Sequence, residues 1–135
     1  MNNTEKVKRL IIDKPLKLDC GKTISNFPLA YETYGELNEK KDNAILAFHA
    51  LTGDQFASGI NPITKKEGWW NYAVGPNKAI DTKKYFVICA NVIGGCMGSY
   101  GPSNINPESN KPFGTNFPII TINDMVNTQY CLLEF

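Results

Sequence analysis

The chain has one histidine, no surplus of either charge and no long apolar run, and each lack removes a class of function. Fourteen Lys and Arg against thirteen Asp and Glu leave a formal charge of +1. Nucleic-acid binding draws on a basic surplus that displaces counterions, and none is present. Lys65-Lys66 and Lys83-Lys84 read as solvated loop charges. No apolar stretch approaches the roughly 18 residues of a membrane span. The opening MNNTEKVKRL has no apolar core of the secretory type. Cys20, Cys89, Cys96 and Cys131 form no C-x-x-C and no zinc-like spacing, so they read as small packing residues with reduced thiols. A cytoplasmic chain without metal is expected. At 135 residues, 42% hydrophobic and 20% charged, it suits one domain, 1–135, with no second domain.

What is present begins with short extended segments, Leu10-Ile11-Ile12 and Leu16-Lys17-Leu18, then a Cys20-Gly21-Lys22 turn. Phe27 to Tyr34 has the two-residue period of a half-exposed strand, with Phe27, Leu29, Tyr31 and Thr33 on one face. Residues 35–43 are polar and read as a connection. Ala44 to Phe48 and Tyr85 to Val92 are continuous apolar runs, the mark of strands covered on both faces. A short helical piece is expected around Pro76 to Ile80. Thr121-Ile122-Asn123-Asp124 has the form of a capping box. Ile122, Met125, Val126, Tyr130 and Leu133 then recur at helical spacing, which predicts a helix. Strand pairs followed by buried strands with crossovers indicate an α/β fold, a mixed sheet with antiparallel leading strands.

Between Phe48 and Pro118 the connections carry unusual text: FHALTGD, GWW, GPNKAIDT, YFVICANVIGG and GCMGSYGPSNINP. Loops of such length and composition are uncommon unless they serve a site. Several residues invite chemistry. His49 precedes any nucleophile in the chain, so it reads as a brace for its loop rather than as a general base. Ser99, in Met97-Gly98-Ser99-Tyr100-Gly101, is a near miss to G-x-S-x-G, with Met97 where the first Gly belongs. A Cys96–His49 couple is the other nucleophilic pairing that can be drawn. Asp54, Asp81 and Asp124 have no ligand partners at metal spacing. Gly94, Gly95, Gly98 and Gly101 match neither phosphate-binding pattern and read as a tightly turning pocket wall, with Trp69-Trp70 as packing beneath it.

From about Leu16 to Leu133 these motifs resemble the N-terminal portion of the homoserine O-acetyltransferase family, acyl-CoA-dependent enzymes of the α/β-hydrolase fold. The resemblance implies a ping-pong transfer from acetyl-CoA, a co-substrate and not a bound cofactor, to the homoserine hydroxyl in methionine synthesis. It also implies that the backbone N–H of Leu51, just after the first buried strand, is one oxyanion donor. His49, Thr52, Gly53, Gly95 and Ser99 are implied to support the loop and pocket, and no cofactor-binding residue is assigned. The family's Ser, Asp and His triad matches no position here, nor do its lid and the contacts of its usual homodimer. The chain is therefore expected to hold an incomplete fold and to be inactive alone. Homoserine O-succinyltransferase, serine O-acetyltransferase and a non-catalytic interaction module are the alternative readings.

Overall fold

The computed structural model describes residues 7–134. Most of the polar N-terminal stretch, residues 1–6, and Phe135 lie outside the described residues. In chain order the strands are β1 (Arg9–Ile12), β2 (Leu16–Lys17), β3 (Thr23–Ile24), β4 (Phe27–Tyr34) and β5 (Ala44–Ala47). They continue as β6 (Val74–Gly75), β7 (Ile80–Asp81), β8 (Phe86–Ala90), β9 (Ile105–Asn106) and β10 (Lys111–Pro112). A 3-10 turn at Gly114–Asn116 and the helix α1 (Ile122–Leu133) complete the chain. The residues gather into two compact units, one of residues 31–90 with Val7 and Lys8, the other of residues 9–30 and 91–134.

In the first unit the second half of β4 runs antiparallel to β8, Tyr31 facing Ala90 and Tyr34 facing Val87. β8 runs parallel to β5, Ala44 facing Phe86 and Ala47 facing Cys89, so the sheet is mixed as expected. Val87, Cys89 and Ala47 meet Ala57 and Val74 in a buried cluster, with Tyr34, Ile45, Trp70 and Ile80 packed around it. β8 meets the expectation of a covered strand at Val87, Cys89 and Ala90, while Phe86 and Ile88 are half-buried. β5 meets it only at Ala47: Ala44 is exposed, Ile45 and Leu46 are half-buried, and no second strand pairs with β5 among the described residues.

The helical piece expected at Pro76 to Ile80 is absent. β6 and β7 pair there in parallel around a tight turn instead. Asn77 takes a φ of 60°, outside the right-handed helical region, and the Asp81 carboxylate accepts the N–H groups of Asn77 and Lys83.

In the second unit β1 runs antiparallel to the first half of β4, Arg9 facing Ala30 and Ile12 facing Phe27. β2 and β3 form a hairpin closed at the expected turn, where Gly21 has a φ of 86°. Phe27 and Leu29 are fully buried as the alternation predicts, Ala30 is buried as well, and the pattern stops there, since Tyr31 to Tyr34 are all half-buried. The long loop is ordered by aromatic contacts: Tyr100 lies 5.8 Å from Phe113 and 5.2 Å from Phe117, ring centre to ring centre.

The capping box of α1 is present in full. Its apolar stripe is not the buried face. Asp124, Thr128, Gln129, Cys131 and Leu132 turn inward, while Ile122 is 74% exposed and Tyr130 62% exposed. The rotation follows from the cap. Asp124 accepts the N–H groups of Asp19 and Thr121, and these bonds turn the polar start of the helix inward, toward the hairpin turn.

Candidate functional site

β5 ends at Ala47, and the chain leaves it through Phe48 and His49 into a β-turn. The turn is closed by the Gly53 N–H donating to the Ala50 carbonyl at 2.8 Å, which makes Leu51 and Thr52 its two central residues. Leu51 is 96% exposed, and its N–H has no acceptor among the described residues. A free N–H on a turn braced at both ends is the geometry an oxyanion donor requires. The bracing is visible. The His49 Nδ1 lies 2.8 Å from the Ala50 carbonyl, and a carbonyl only accepts, so this nitrogen carries the proton. Gly53 serves by size: a Cβ there would sit 3.0 Å from the His49 Cβ and 3.2 Å from the Ala50 carbonyl oxygen.

The segment after the turn is tied down by Tyr34, Asp54 and the tryptophan pair. The Tyr34 hydroxyl accepts the Ser58 N–H at 3.0 Å, and burial pushes its pKa up to about 12. The Asp54 carbonyl accepts the Trp69 indole N–H at 2.8 Å, while its carboxylate accepts from Phe56 N–H and the Asn61 amide. Trp69 stacks on Trp70 at 5.4 Å, and Trp70 packs on the first unit's core. Burial, reinforced by the charge of Asp54, pushes the Cys89 thiol up to about 12.

The glycine-rich loop belongs to the second unit. Ser99 is buried, and its Oγ accepts the Ala30 N–H at 2.9 Å while donating to the Asn91 carbonyl at 2.6 Å. Its proton is committed to a carbonyl, so it is a structural staple and not a nucleophile. Gly95 and Gly101 are sites of close approach. A Cβ on Gly95 would lie 2.8 Å from Asn91 Oδ1, and one on Gly101 would lie 2.5 Å from the Gly95 carbonyl oxygen. Cys96 is exposed in this loop. The same unit carries a cavity of about 470 Å³ whose lining includes Lys22, Ser25, Tyr100, Asn106, Glu108 and Phe113. Tyr100, Asn106 and Pro107 of its lining come from the loop whose composition the sequence had marked.

Asp81 is a turn residue whose carboxyl is held below the usual range by the Asn77 and Lys83 N–H groups, and Asp124 is a helix cap. Among the described residues no group of three or more His, Cys, Asp or Glu could hold a metal ion. None of their helices is long and apolar enough to cross a membrane.

No protein-family model matches the chain. It is 78% identical over all 135 residues to the homoserine O-acetyltransferase of Pelagibacter ubique (strain HTCC1062), of which it covers 36%. It is 55% identical over 128 residues to that of Mesorhizobium japonicum, of which it covers 33%. Among solved structures, homoserine O-acetyltransferase from Bacillus anthracis superposes with a TM-score of 0.83 at 32% identity, over 96% of this chain and 36% of that one. Esterase E22 superposes with a TM-score of 0.82 at 35% identity, over the same shares. The chain thus spans about a third of the length of the relatives it matches, and its fold is the corresponding N-terminal part of an α/β hydrolase. By sequence along its whole length and by fold, the chain is similar to the N-terminal third of the homoserine O-acetyltransferases.

Proposed function

We propose that this chain supplies the oxyanion-loop portion of an enzyme that moves an acetyl group from acetyl-CoA to the hydroxyl of homoserine. The 78% identity over the whole chain to an acetyltransferase of that name carries the reading. In the reaction a serine oxygen, contributed by the part of the family fold this chain does not span, attacks the thioester carbonyl. CoA leaves as its thiol. The homoserine hydroxyl then attacks the acyl-serine, the family's histidine carries its proton to the departing serine oxygen, and O-acetylhomoserine leaves. Both steps place negative charge on the carbonyl oxygen, and the exposed Leu51 N–H is our candidate for one of the two donors that meet it. The complete enzyme is proposed to work in the cytoplasm, as a homodimer, in methionine synthesis.

A second reading has a specific observation behind it. Esterase E22 is 35% identical over the same region, so this scaffold also serves a protein named for ester hydrolysis. The oxyanion turn is indifferent to the acceptor, which is water in one case and homoserine in the other. The test replaces the matching segment of the Pelagibacter enzyme with residues 1–135 and follows thiol release and product mass. We expect thiol release that requires homoserine, with O-acetylhomoserine as product and succinyl-CoA a poor donor. Ester hydrolysis indifferent to homoserine, or loss of all turnover in a folded chimera, would overturn the reading.

A further inference from the structure

The cavity of about 470 Å³ in the second unit lies within the range of small-molecule pockets, about 300–1,000 Å³. No residue from Ala50 to Gly53 lines it, so the oxyanion assignment does not account for it. The β2–β3 hairpin contributes Lys22 and Ile24, and the turn joining β9 to β10 contributes Glu108. Its walls are fixed by the backbone. The Lys22 carbonyl accepts the Leu18 N–H at 2.8 Å, and the Glu108 N–H donates to Asn106 Oδ1 at 3.0 Å. The Tyr100 N–H donates to the Pro28 carbonyl at 2.7 Å, and its ring holds Phe113 beside it. A preformed wall spares a ligand the cost of ordering it.

The lining is of two kinds. Ile24, Phe113 and Pro118 offer apolar surface, while Lys22 and Glu108 carry opposite charges that do not neutralise each other. Among the described residues the ion pairs are Lys8–Glu32 and Lys14–Glu134, and neither the Lys22 ammonium nor the Glu108 carboxylate has a hydrogen-bond partner. A ligand with one charge meets one of these groups and is repelled by the other, which disfavours phosphates and simple amines. A purely apolar ligand takes water from both charges and returns nothing. A zwitterion satisfies both. We propose that this cavity binds a free α-amino acid with an apolar side chain. Lys22 holds its carboxylate, Glu108 holds its ammonium, and the side chain lies against Ile24, Phe113 and Pro118. The proposal stands independently of the acetyl-transfer reading.

The test titrates norleucine by calorimetry into the full 135-residue chain and into the chimeric enzyme described above. Norleucine carries an apolar side chain and no hydroxyl that could accept an acyl group. We expect saturable one-to-one binding with a Kd of about 1 mM or tighter. Hexanoate lacks the ammonium and pentylamine lacks the carboxylate, and each should bind at least about tenfold more weakly. Glycine, without the apolar side chain, should fall by a similar factor. Lys22→Glu and Glu108→Lys should each weaken norleucine about tenfold or more, and the double reversal should restore it, because a zwitterion can turn end for end. Lys17→Glu, on the same hairpin but outside the lining, should leave binding unchanged. If a substituted protein does not fold, the three analogues on the unsubstituted protein decide. Three outcomes overturn the proposal: no saturable binding in either protein, hexanoate or pentylamine bound as tightly as norleucine, or norleucine binding that survives both single reversals. Binding as described in a chimera that transfers no acetyl group supports the site and counts against the proposed activity alone.

Discussion

The Asp19 carboxylate accepts the hydroxyl of Thr121 at 2.5 Å, joining the turn of the β2–β3 hairpin to the first residue before α1. Asp19 also accepts the Asn123 amide at 3.0 Å and donates its own N–H to Asp124, so four side chains form one clamp. Thr121 works in two directions, donating to Asp19 and accepting the Asp124 N–H. Thr121→Ala should therefore cost about 1 kcal/mol as a lost helix cap, with a further loss from the freed Asp19. Thr121→Ser keeps both bonds and should restore most of the stability. Urea unfolding of the three proteins measures the difference.

The same clamp makes a pH prediction. The bonds from Thr121, then Asn123, hold the Asp19 carboxyl below its ordinary range. A carboxyl lowered on folding stabilises the native state at pH values above its unfolded pKa of about 4. That contribution fades as pH falls through the lowered folded value. Thermal midpoints recorded from pH 2 to 6 should drop on acidification, and less steeply in Asp19→Asn. An equal slope in both proteins would rule out the clamp as a source of acid sensitivity.

What could be read from the sequence was the local chemistry. The Phe27–Tyr34 alternation, the turn at Gly21 and the capping box at Thr121 each depend on neighbours a few residues apart. The residues missed depend on distant contacts or on a single backbone angle. Asn77, at a φ of 60°, converts a helix-like segment into the β6–β7 turn. The stripe on α1 was legible only as a set of residues, because periodicity shows which residues share a face and not what that face meets. Ser99 looked like chemistry because its partners, Ala30 and Asn91, are invisible in a motif.

That staple is testable. Ser99→Ala removes the acceptor for the Ala30 N–H and the donor for the Asn91 carbonyl, both in buried surroundings, at a cost of about 1–3 kcal/mol. In the chimeric enzyme its turnover should stay within a few-fold of the parent at temperatures where both are folded. Removing a true nucleophile lowers turnover by about a millionfold. Thermal denaturation and steady-state assay of the same preparation separate the two roles.

Thiol labelling tests the cores of both units. Cys20 and Cys96 are exposed, while Cys89 and Cys131 are buried. With its thiol raised to about 12, Cys89 holds a thiolate fraction of only about 10⁻⁴ at pH 8. Iodoacetamide under native conditions should add two groups rapidly, at Cys20 and Cys96, and four once denaturant is present. Labelling of Cys89 as fast as Cys96 would mean that the cluster around Ala47, Val74 and Val87 does not form as described.

The oxyanion assignment turns on a backbone atom, so the substitution must change the backbone. Leu51 is the second residue of the Ala50–Gly53 turn, a position where proline is well tolerated. Leu51→Pro removes the N–H while leaving the turn able to form, and Leu51→Ala removes the side chain while keeping the N–H. In the chimeric enzyme the alanine variant should stay near the parent in kcat, since the side chain it removes is 96% exposed. The proline variant should lose about 10²–10³ in kcat, as when one donor of an oxyanion hole is deleted. Its KM for acetyl-CoA should change little, because the ground-state carbonyl carries little of the charge that the donor meets in the transition state. Equal loss in both variants would point to packing of the leucine side chain. No loss in either would place the donor at another backbone group.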